Sequence, residues 1–446
     1  QAVRQLFVMS EDEGRYEIPT ARQNFFRPDS FPATKGDDEF RVFCLGGSTV
    51  QGRPFRIETS FPTWLEISLN AADSSRKWNV INCGGISYAS YRLLPILEEV
   101  LTYEPDLIIL YTGHNEFLEA RSLEHIEGRG ELLNRSLESA SRLRTFTLLR
   151  EGYLRVSDRS SHDPPAGRPI LPTEVEALLD YRGGLEEYKR DAEHRSDVME
   201  QYRYNLHRMI ELCRQAKVDL MLVNPVSNFR DCPPFKALPG EESTDHQREK
   251  WTALCDAASV KLTGEDADLY AAIDFYEQAC GLDPHHAGGF YNLGQCYDAA
   301  GLHEEAREAY LTAKELDICP LRILEPMNEA VLEVAAQTNT PLVDAQALFE
   351  QHSAGNITGG EWLLDHVHPS ITGHQLLADA LADAMVAEEI VHPVEDWEAT
   401  RRQRYDEHFA SLGELYFHEG KQRLDAVRLW AQGRTTQERP DAQTNP

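Results

Sequence analysis

The stretch that decides the fold is residues 40–52, Phe-Arg-Val-Phe-Cys-Leu-Gly-Gly-Ser-Thr-Val-Gln-Gly. Its first six residues form an apolar run that is typical of a buried strand, and Gly46 and Gly47 end that run. Ser48 then opens a helical pattern. A serine at the carboxyl end of a strand, where a helix begins, stands where α/β proteins place their functional sites.

Strand-like and helix-like stretches alternate along the rest of the chain. Further strands are predicted at 78–83, 107–111, 220–223 and 341–344. Helical patterns lie between them, from about 91 to 101, from about 201 to 216 and after Pro369, where apolar residues fall on one face. This alternation predicts right-handed βαβ units, and therefore an α/β fold with a parallel sheet that helices cover on both faces.

The length of 446 residues and a hydrophobic content of 41% predict several parts around a real core. Residues 1–38 are polar with scattered prolines, and we expect an irregular N-terminal extension there. The sheet is expected to occupy 39–246 and 321–392, with a charged, lid-like helical insertion at about 118–200. Residues 393–446 predict a C-terminal helical region that ends in a disordered tail.

A sequence repeat lies between the fourth and fifth predicted strands, in the segment 247–320. Ala272, Tyr276, Ala279, Leu282 and Asp283 return thirty-four residues later as Ala306, Tyr310, Ala313, Leu316 and Asp317. This is the tetratricopeptide period, and it predicts stacked antiparallel helix pairs that lean on the core, the C-terminal helices or a second subunit. An ordinary helical hairpin is the alternative. Grooves of such repeats take peptides or helices, so we expect a protein partner or self-association, with a structural buttress as the other possibility.

Charge and hydropathy exclude several classes of function. The chain carries 74 acidic and 44 basic residues, and its net charge of −30 repels the phosphates of nucleic acids. It has no apolar run of about 18 residues that would span a membrane. The start at Gln1 and the acidic body favour an exported protein whose N-terminal anchor has been removed, and the family resemblance given below implies association with the cell envelope. Eight cysteines without a C-x-x-C pair leave cytoplasmic residence as the alternative.

Ser48 needs a base before its hydroxyl can act as a nucleophile, and a candidate lies near the other end of the chain. The motif Asp365-His366-Val367-His368 holds a carboxylate three residues from an imidazole, so one turn can join them. The carboxylate would fix the tautomer while the other ring nitrogen takes the Ser48 proton. Without that contact Ser48 would be a helix N-cap, Asp365 a capping residue and His368 a surface residue.

Two residues after the second and third strands could stabilise an oxyanion. Gly85 offers a backbone N–H, and Asn115 offers a side-chain amide. Each is otherwise an ordinary turn residue, because glycine and asparagine both tolerate turn conformations.

Three histidines also raise the question of a metal site. His366, His368 and His374 lie close together in the sequence. No motif such as H-E-x-x-H accompanies them, so we predict neither a metal nor a cofactor.

Taken together, these blocks resemble the SGNH/GDSL hydrolases. A serine after the first strand, a glycine after the second, Gly-x-Asn after the third and Asp-x-x-His before the last helix occur in order, as Ser48, Gly85, Asn115 and His368. The resemblance covers about 39–117, 201–232 and 322–390, and it implies a flavodoxin-like, three-layer αβα core. One block departs from the family, because Gly47 stands where its Gly-Asp-Ser motif has aspartate.

The resemblance also implies roles for these residues. Ser48, Asp365 and His368 would form a catalytic triad. The N–H groups of Ser48 and Gly85, with the Asn115 amide, would form the oxyanion hole. The implied activity is hydrolysis of carboxylic or O-acetyl esters, with acetylated glycans among the substrates. Two alternatives stay open: an O-acyltransferase with the same triad, and an interaction scaffold whose repeats act beside a vestigial hydrolase core.

Overall fold

A parallel five-stranded sheet forms the centre of the computed structural model, which describes residues 5–10, 14–119, 175, 177–180, 183–263 and 267–431. In chain order the strands are β1 (Val8–Ser10), β2 (Arg15–Glu17), β3 (Ser30–Pro32), β4 (Glu39–Gly46), β5 (Lys77–Gly84), β6 (Leu107–Tyr111), β7 (Asp219–Val223) and β8 (Leu342–Val343). The α-helices are α1 (Ser48–Gln51), α2 (Phe61–Ala72), α3 (Ser90–Val100), α4 (Ala192–Ala216), α5 (Asp245–Lys261), α6 (Leu269–Leu282), α7 (Ala287–Ala299), α8 (His303–Glu315), α9 (Glu325–Thr338), α10 (Ala345–Gln351), α11 (Ile371–Ala387), α12 (Trp397–Ala410) and α13 (Glu414–Ala431).

The order of the strands defines the fold. The central sheet runs β5-β4-β6-β7-β8, and every neighbouring pair is parallel. The strand of this sheet that comes first along the chain, β4, therefore occupies the second position. This is the doubly wound order of flavodoxin-like proteins. The predicted fold class is confirmed. Strands β4 to β7 match the predicted ones to within one residue at each end, whereas β8 has only two residues.

Helices cover both faces of this sheet. Successive side chains of a strand point to opposite faces, and in these strands the side chains on both faces are apolar. Ile108 and Leu110 of β6 join a buried cluster with residues of α3, α4 and α9. Ile109 and Tyr111 join a second cluster with residues of α2, α11 and α12. The sheet is thus the middle layer of three. Helix α4 begins nine residues before the predicted start, where the Asp191 side chain caps it by accepting the N–H of His194 at 2.9 Å.

The N-terminal segment differs from the expectation of an irregular extension. Strands β1, β2 and β3 form an antiparallel sheet, and Phe7 and Phe31 are fully buried. The ring centroid of Phe31 lies 5.0 Å from that of Phe7 and 5.2 Å from that of Phe43 on β4. The prediction was wrong here because three-residue strands carry too little periodicity to be recognised from sequence, while Phe7, next to β1, and Phe31, within β3, join the main core.

Helices α5 to α8 occupy the segment of the predicted repeat. Each packs against the next, and the alanines and tyrosines of the thirty-four-residue repeat are buried in both copies. Gly294 allows α7 and α8 to approach closely, since a Cβ at this position would lie 2.8 Å from the Tyr310 ring. Small residues at these points let the paired helices pack, as the period predicted.

Two C-terminal helices return to the core. The Tyr405 hydroxyl of α12 donates to the carbonyl oxygen of Trp64 at 3.0 Å, so α12 is fastened to α2. Helix α13 packs its Gly420 on Phe55. None of the helices in the described ranges is long and apolar enough to cross a membrane. Most of the lid-like insertion predicted at 118–200, and the predicted tail after 431, lie outside the described residues.

Candidate active site

The carboxyl end of the sheet brings together three residues that the sequence singled out. Helix α1 starts at Ser48, directly after β4, and the loop before α11 carries Asp365 and His368. The Ser48 hydroxyl oxygen lies 2.7 Å from Nε2 of His368, although the two residues are 320 positions apart. Nδ1 of the same ring lies 2.7 Å from Oδ2 of Asp365. All three side chains are buried or nearly so.

Local hydrogen bonds hold the Asp365 carboxylate in place. Its Oδ1 accepts the backbone N–H groups of Val367 and His368, each at 2.9 Å. Burial alone would raise the pKa of Asp365, but His368, His366 and these N–H donors together hold that pKa well below its usual value. Asp365 is therefore a carboxylate whose free oxygen faces the imidazole. With a proton on Nδ1, Nε2 of His368 accepts from the Ser48 hydroxyl.

The neighbouring histidines are neutral near pH 7. Burial, only partly opposed by Asp365, lowers the pKa of His366 to about 4. Burial and His368 lower the pKa of His374 to about 3. His374 lies behind the site, where its Nδ1 accepts the N–H of Phe61 at 3.2 Å. The described part of the chain contains no group of three or more histidine, cysteine or acidic residues placed to hold a metal ion.

Close contacts surround the two glycines before Ser48. A Cβ at Gly46 would lie 2.1 Å from the Tyr111 carbonyl oxygen of β6. A Cβ at Gly47 would lie 2.7 Å from Nδ2 of Asn115, closer than side-chain atoms pack. Glycine at 47 thus leaves room for the Asn115 amide beside the serine.

The Asn115 amide is fixed next to Ser48. Its Nδ2 donates to the carbonyl oxygen of Tyr88 at 3.0 Å, and the same nitrogen borders Gly47. Because an amide nitrogen carries two protons, the second remains to donate towards the cavity. The position of Asn115 fits the predicted oxyanion role.

Gly85 does not fit that role. Its N–H donates to the carbonyl oxygen of Gly46 at 3.0 Å, so it continues the backbone pairing of β4 and β5 and is not available to an oxyanion. Glycine is needed there for packing, since a Cβ would lie 2.8 Å from the Tyr88 ring and 2.9 Å from Phe26. The sequence put the donor too early, because the first residue after a strand still takes part in the ladder.

Ser87 is the residue that the sequence missed at this position. It lies in the left-handed backbone region, with φ of 61°, and it borders the cavity that contains Ser48. Among the described residues its N–H has no acceptor. Strained backbone of this kind costs about 1–2 kcal/mol for a residue with a side chain, and it concentrates at functional sites. A serine gives no sequence signal for a left-handed backbone conformation, so Ser87 could not be recognised from its residue type.

A cavity of about 230 Å³ opens beside the Ser48 hydroxyl. Its polar lining includes Ser48, Asn115 and His368 together with Arg53, which no sequence pattern indicated. Its apolar wall comes from several elements, namely Ile86, Leu118, Leu321, Val427 and Trp430. Because Val427 and Trp430 belong to α13, the C-terminal helix closes one side of the candidate site.

The comparisons with known proteins agree with the predicted repeat. Residues 287–317 match the tetratricopeptide repeat family. Among curated proteins, none matches the chain. The solved structures that are similar to it include a lipase/acylhydrolase from Enterococcus faecalis, at 12% identity and a TM-score of 0.34, over 80% of this chain and 99% of that one.

Two more similar structures have the same range of scores. An alpha/beta hydrolase enzyme from the metagenome of Lake Arreo, Spain, is 13% identical with a TM-score of 0.35, over 79% of this chain and 97% of that one. A GDSL-like lipase from Bacteroides thetaiotaomicron VPI-5482 is 11% identical with a TM-score of 0.32, over 78% of this chain and 88% of that one. At these values the function has to be judged from the site itself.

Proposed function

We propose that this protein is a serine esterase in which Ser48 is the nucleophile, His368 the general base and Asp365 the residue that orients it. One observation carries the proposal: the Ser48 hydroxyl, the His368 ring and the Asp365 carboxylate lie in line, with both contacts at 2.7 Å. A nucleophile within hydrogen-bond reach of a base, itself oriented by a third group, is the arrangement that acyl transfer requires.

The chemistry follows from the positions of the protons. Nε2 of His368 takes the Ser48 proton as the serine oxygen attacks the ester carbonyl, and the imidazolium is stabilised by Asp365. The ring then gives this proton to the leaving alcohol, which leaves an acyl group on Ser48. Water, activated by the same nitrogen, hydrolyses the acyl-enzyme. His366 and His374 are neutral near pH 7, so they do not compete for the proton.

The negative oxygen of the intermediate needs donors beside Ser48. The second proton of the Asn115 amide and the backbone N–H of Ser48 are two of them in this proposal. The N–H of Ser87 is the third, in place of the N–H of Gly85. Ser87 borders the cavity and its N–H has no acceptor within the described ranges, and both observations support this assignment.

Labelling and turnover test the proposal together. A fluorophosphonate probe should label the wild-type protein, and 4-nitrophenyl acetate should be hydrolysed. Ser48→Ala and His368→Ala should each lose nearly all turnover, because members of a triad act as a unit. Ser411→Ala, at an exposed serine far along the chain, is the matched control and should keep both. Near-normal hydrolysis by a folded Ser48→Ala protein would end this proposal.

The acceptor and the natural substrate need a separate experiment. An O-acyltransferase would use the same three residues and differ only in passing the acyl group to an alcohol. Turnover of an aryl acetate with and without a polyol, with product analysis, distinguishes transfer to a sugar hydroxyl from hydrolysis. O-acetylated glycans belong in the same substrate panel.

The location and the partners stay predictions. Fractionation of the full-length protein tests the envelope location. Pull-down with the intact protein tests whether the tetratricopeptide repeat at 287–317 binds a protein.

A further inference from the structure

The Arg53 guanidinium lies in the catalytic cavity without a partner. Arg53 follows α1 closely, and its backbone N–H donates to the Ser48 carbonyl oxygen at 3.1 Å. Its side chain borders the same cavity as Ser48 and His368. Nε is buried without a hydrogen-bond partner, and no carboxylate of the described residues forms an ion pair with this guanidinium. Because the described residues offer this guanidinium no hydrogen-bond acceptor, its donors remain to bind a group that enters the cavity.

Two more arginines stand near Arg53. Nε of Arg27 and Nη2 of Arg423 are also buried without partners in the described structure. Arg423 is held in place by the Pro54 carbonyl oxygen, which accepts from its Nε at 2.7 Å. Glu419 balances part of this charge, since it contacts both Arg423, at 3.4 Å, and Arg56.

The charge of this cluster is opposite to that of the whole chain. Burial, Arg27 and Arg423 lower the pKa of Arg53 to about 10 while Asp365 raises it, so Arg53 remains cationic at neutral pH. The chain as a whole has a net charge of −30. A concave site with one arginine in its lining and two more nearby attracts anions locally, even on a protein whose surface repels them.

We propose that the catalytic cavity takes an ester that carries a second, anionic group, a carboxylate or a phosphate, and that Arg53 binds this group. The inference rests on the proposed esterase function and specifies its substrate class. The planar fork of a guanidinium matches either anion with two parallel hydrogen bonds. The apolar lining of the same cavity, formed in part by Leu118 and Trp430, suits a short hydrocarbon between the anion and the ester.

Two esters that differ only in this charge test the proposal. They are 4-nitrophenyl hemisuccinate, an anion, and its neutral methyl ester. We expect the wild-type protein to prefer the anion in kcat/KM, and Arg53→Gln to lower the ratio of the two values by about ten- to a hundredfold, the worth of a charge-assisted hydrogen bond. Arg53→Lys should keep part of the preference, because it retains the charge but not the fork. Arg76→Gln is the control, since Arg76 lies over Phe40 and Trp78 outside the cavity, and it should keep the ratio.

Binding gives a second readout that needs no turnover. Succinate and inorganic phosphate should each bind the Ser48→Ala protein in calorimetry, and the anion with the lower Kd is the preferred one. Adding Arg53→Gln to the Ser48→Ala protein should abolish the binding of both. Ester turnover without a preference for the anion, or an equal loss on both esters in Arg53→Gln, overturns the inference alone. If the protein binds succinate but hydrolyses no ester, the anion site stands and the esterase function is overturned instead.

Discussion

The packing of Asn115 against Gly47 leads to a prediction about two residues that form no hydrogen bond with each other. Replacing Asn115 with alanine removes the side-chain donor beside Ser48. Loss of one oxyanion donor lowers kcat by about a hundred- to a thousandfold, which corresponds to about 2.7–4 kcal/mol of transition-state stabilisation. KM should change little, because the charge develops only in the transition state. The lost bond to the Tyr88 carbonyl should cost stability by only about 1 kcal/mol.

The same loss should follow from a change that leaves Asn115 in place. In Gly47→Ala the new methyl group would come within 2.7 Å of the Asn115 amide nitrogen, so the amide has to move away from the site. The next atom near this methyl group is the Tyr88 carbonyl oxygen at 3.6 Å, an ordinary contact. Backbone strain does not contribute, since φ of Gly47 is −85°. We therefore expect Gly47→Ala to lower kcat by tens to hundreds of times.

A double-mutant cycle measures whether the two changes act through one amide. Once Asn115 is alanine, the added methyl group has nothing to displace, so Gly47→Ala in that background should change kcat by less than about threefold. Steady-state kinetics on 4-nitrophenyl acetate for the four proteins, with thermal unfolding as the check on folding, completes the assay. Losses that simply multiply in the double variant would refute this account of Gly47, and an unchanged kcat in Asn115→Ala would leave Asn115 as a turn residue.

Two predictions concern carboxylates. Asp365→Asn should lower kcat by about 10⁴-fold, less than His368→Ala, because the amide favours the wrong tautomer of the ring but leaves serine and histidine in place; equal losses in steady-state assays would contradict this order. Burial raises the pKa of Asp29 to about 7, despite hydrogen bonds from the N–H groups of Asn82 and Ser30. A raised carboxyl pKa means that the folded state binds a proton more tightly than the unfolded state does. The contribution of Asp29 to the free energy of unfolding therefore falls as pH rises from about 4 through 7. The free-energy advantage of the wild type over Asp29→Asn in urea unfolding should therefore shrink between pH 5 and pH 8, and a constant difference would contradict it.

Much of the fold could be predicted because the central strands are buried on both faces. Strands such as β4 and β6 then appear as continuous apolar runs, each ended by glycine, and their bounds follow within a residue. The N-terminal sheet could not be predicted in this way. Its strands have three residues each, and its contribution to the core comes from single aromatic residues such as Phe7 and Phe31.

The candidate site was predictable where chemistry depends on side-chain type, and not where it depends on backbone. Ser48, Asp365 and His368 have side chains that few other residues can replace, so their pattern is informative. Any residue except proline can offer a backbone N–H, and a sequence does not reveal which of these groups is already paired within a sheet. Gly85 and Ser87 differ only in this respect. Arg53 escaped notice for another reason: an arginine without a partner looks like any surface arginine until the cavity around it is known.

The repeat helices and the candidate triad are joined by the segment that follows β7. The two aspartates of the repeat are buried, and both bind backbone N–H groups of this segment: Asp283 accepts from Gly240 at 2.9 Å, and Asp317 accepts from Phe235 and Lys236 at 2.8 and 3.0 Å. The recurrence of aspartate after thirty-four residues thus has a structural cause, since each copy fastens the end of a helix to the same stretch of chain.

The other end of that segment reaches the loop of Asp365. The side-chain amide of Asn228 donates to the backbone carbonyl oxygen of Asp365 at 3.1 Å. The backbone N–H of Asn228 donates to the backbone carbonyl oxygen of His366 at 3.0 Å. Arg322, which follows the repeat, donates to the Asn228 carbonyl oxygen at 2.8 Å. Removing 247–320 would take away Asp283 and Asp317, which fasten the segment that carries Asn228. Lost turnover in such a deletion would therefore not show that the repeats bind a partner. Changes to exposed repeat residues, such as Tyr270, leave these contacts intact and separate the two roles.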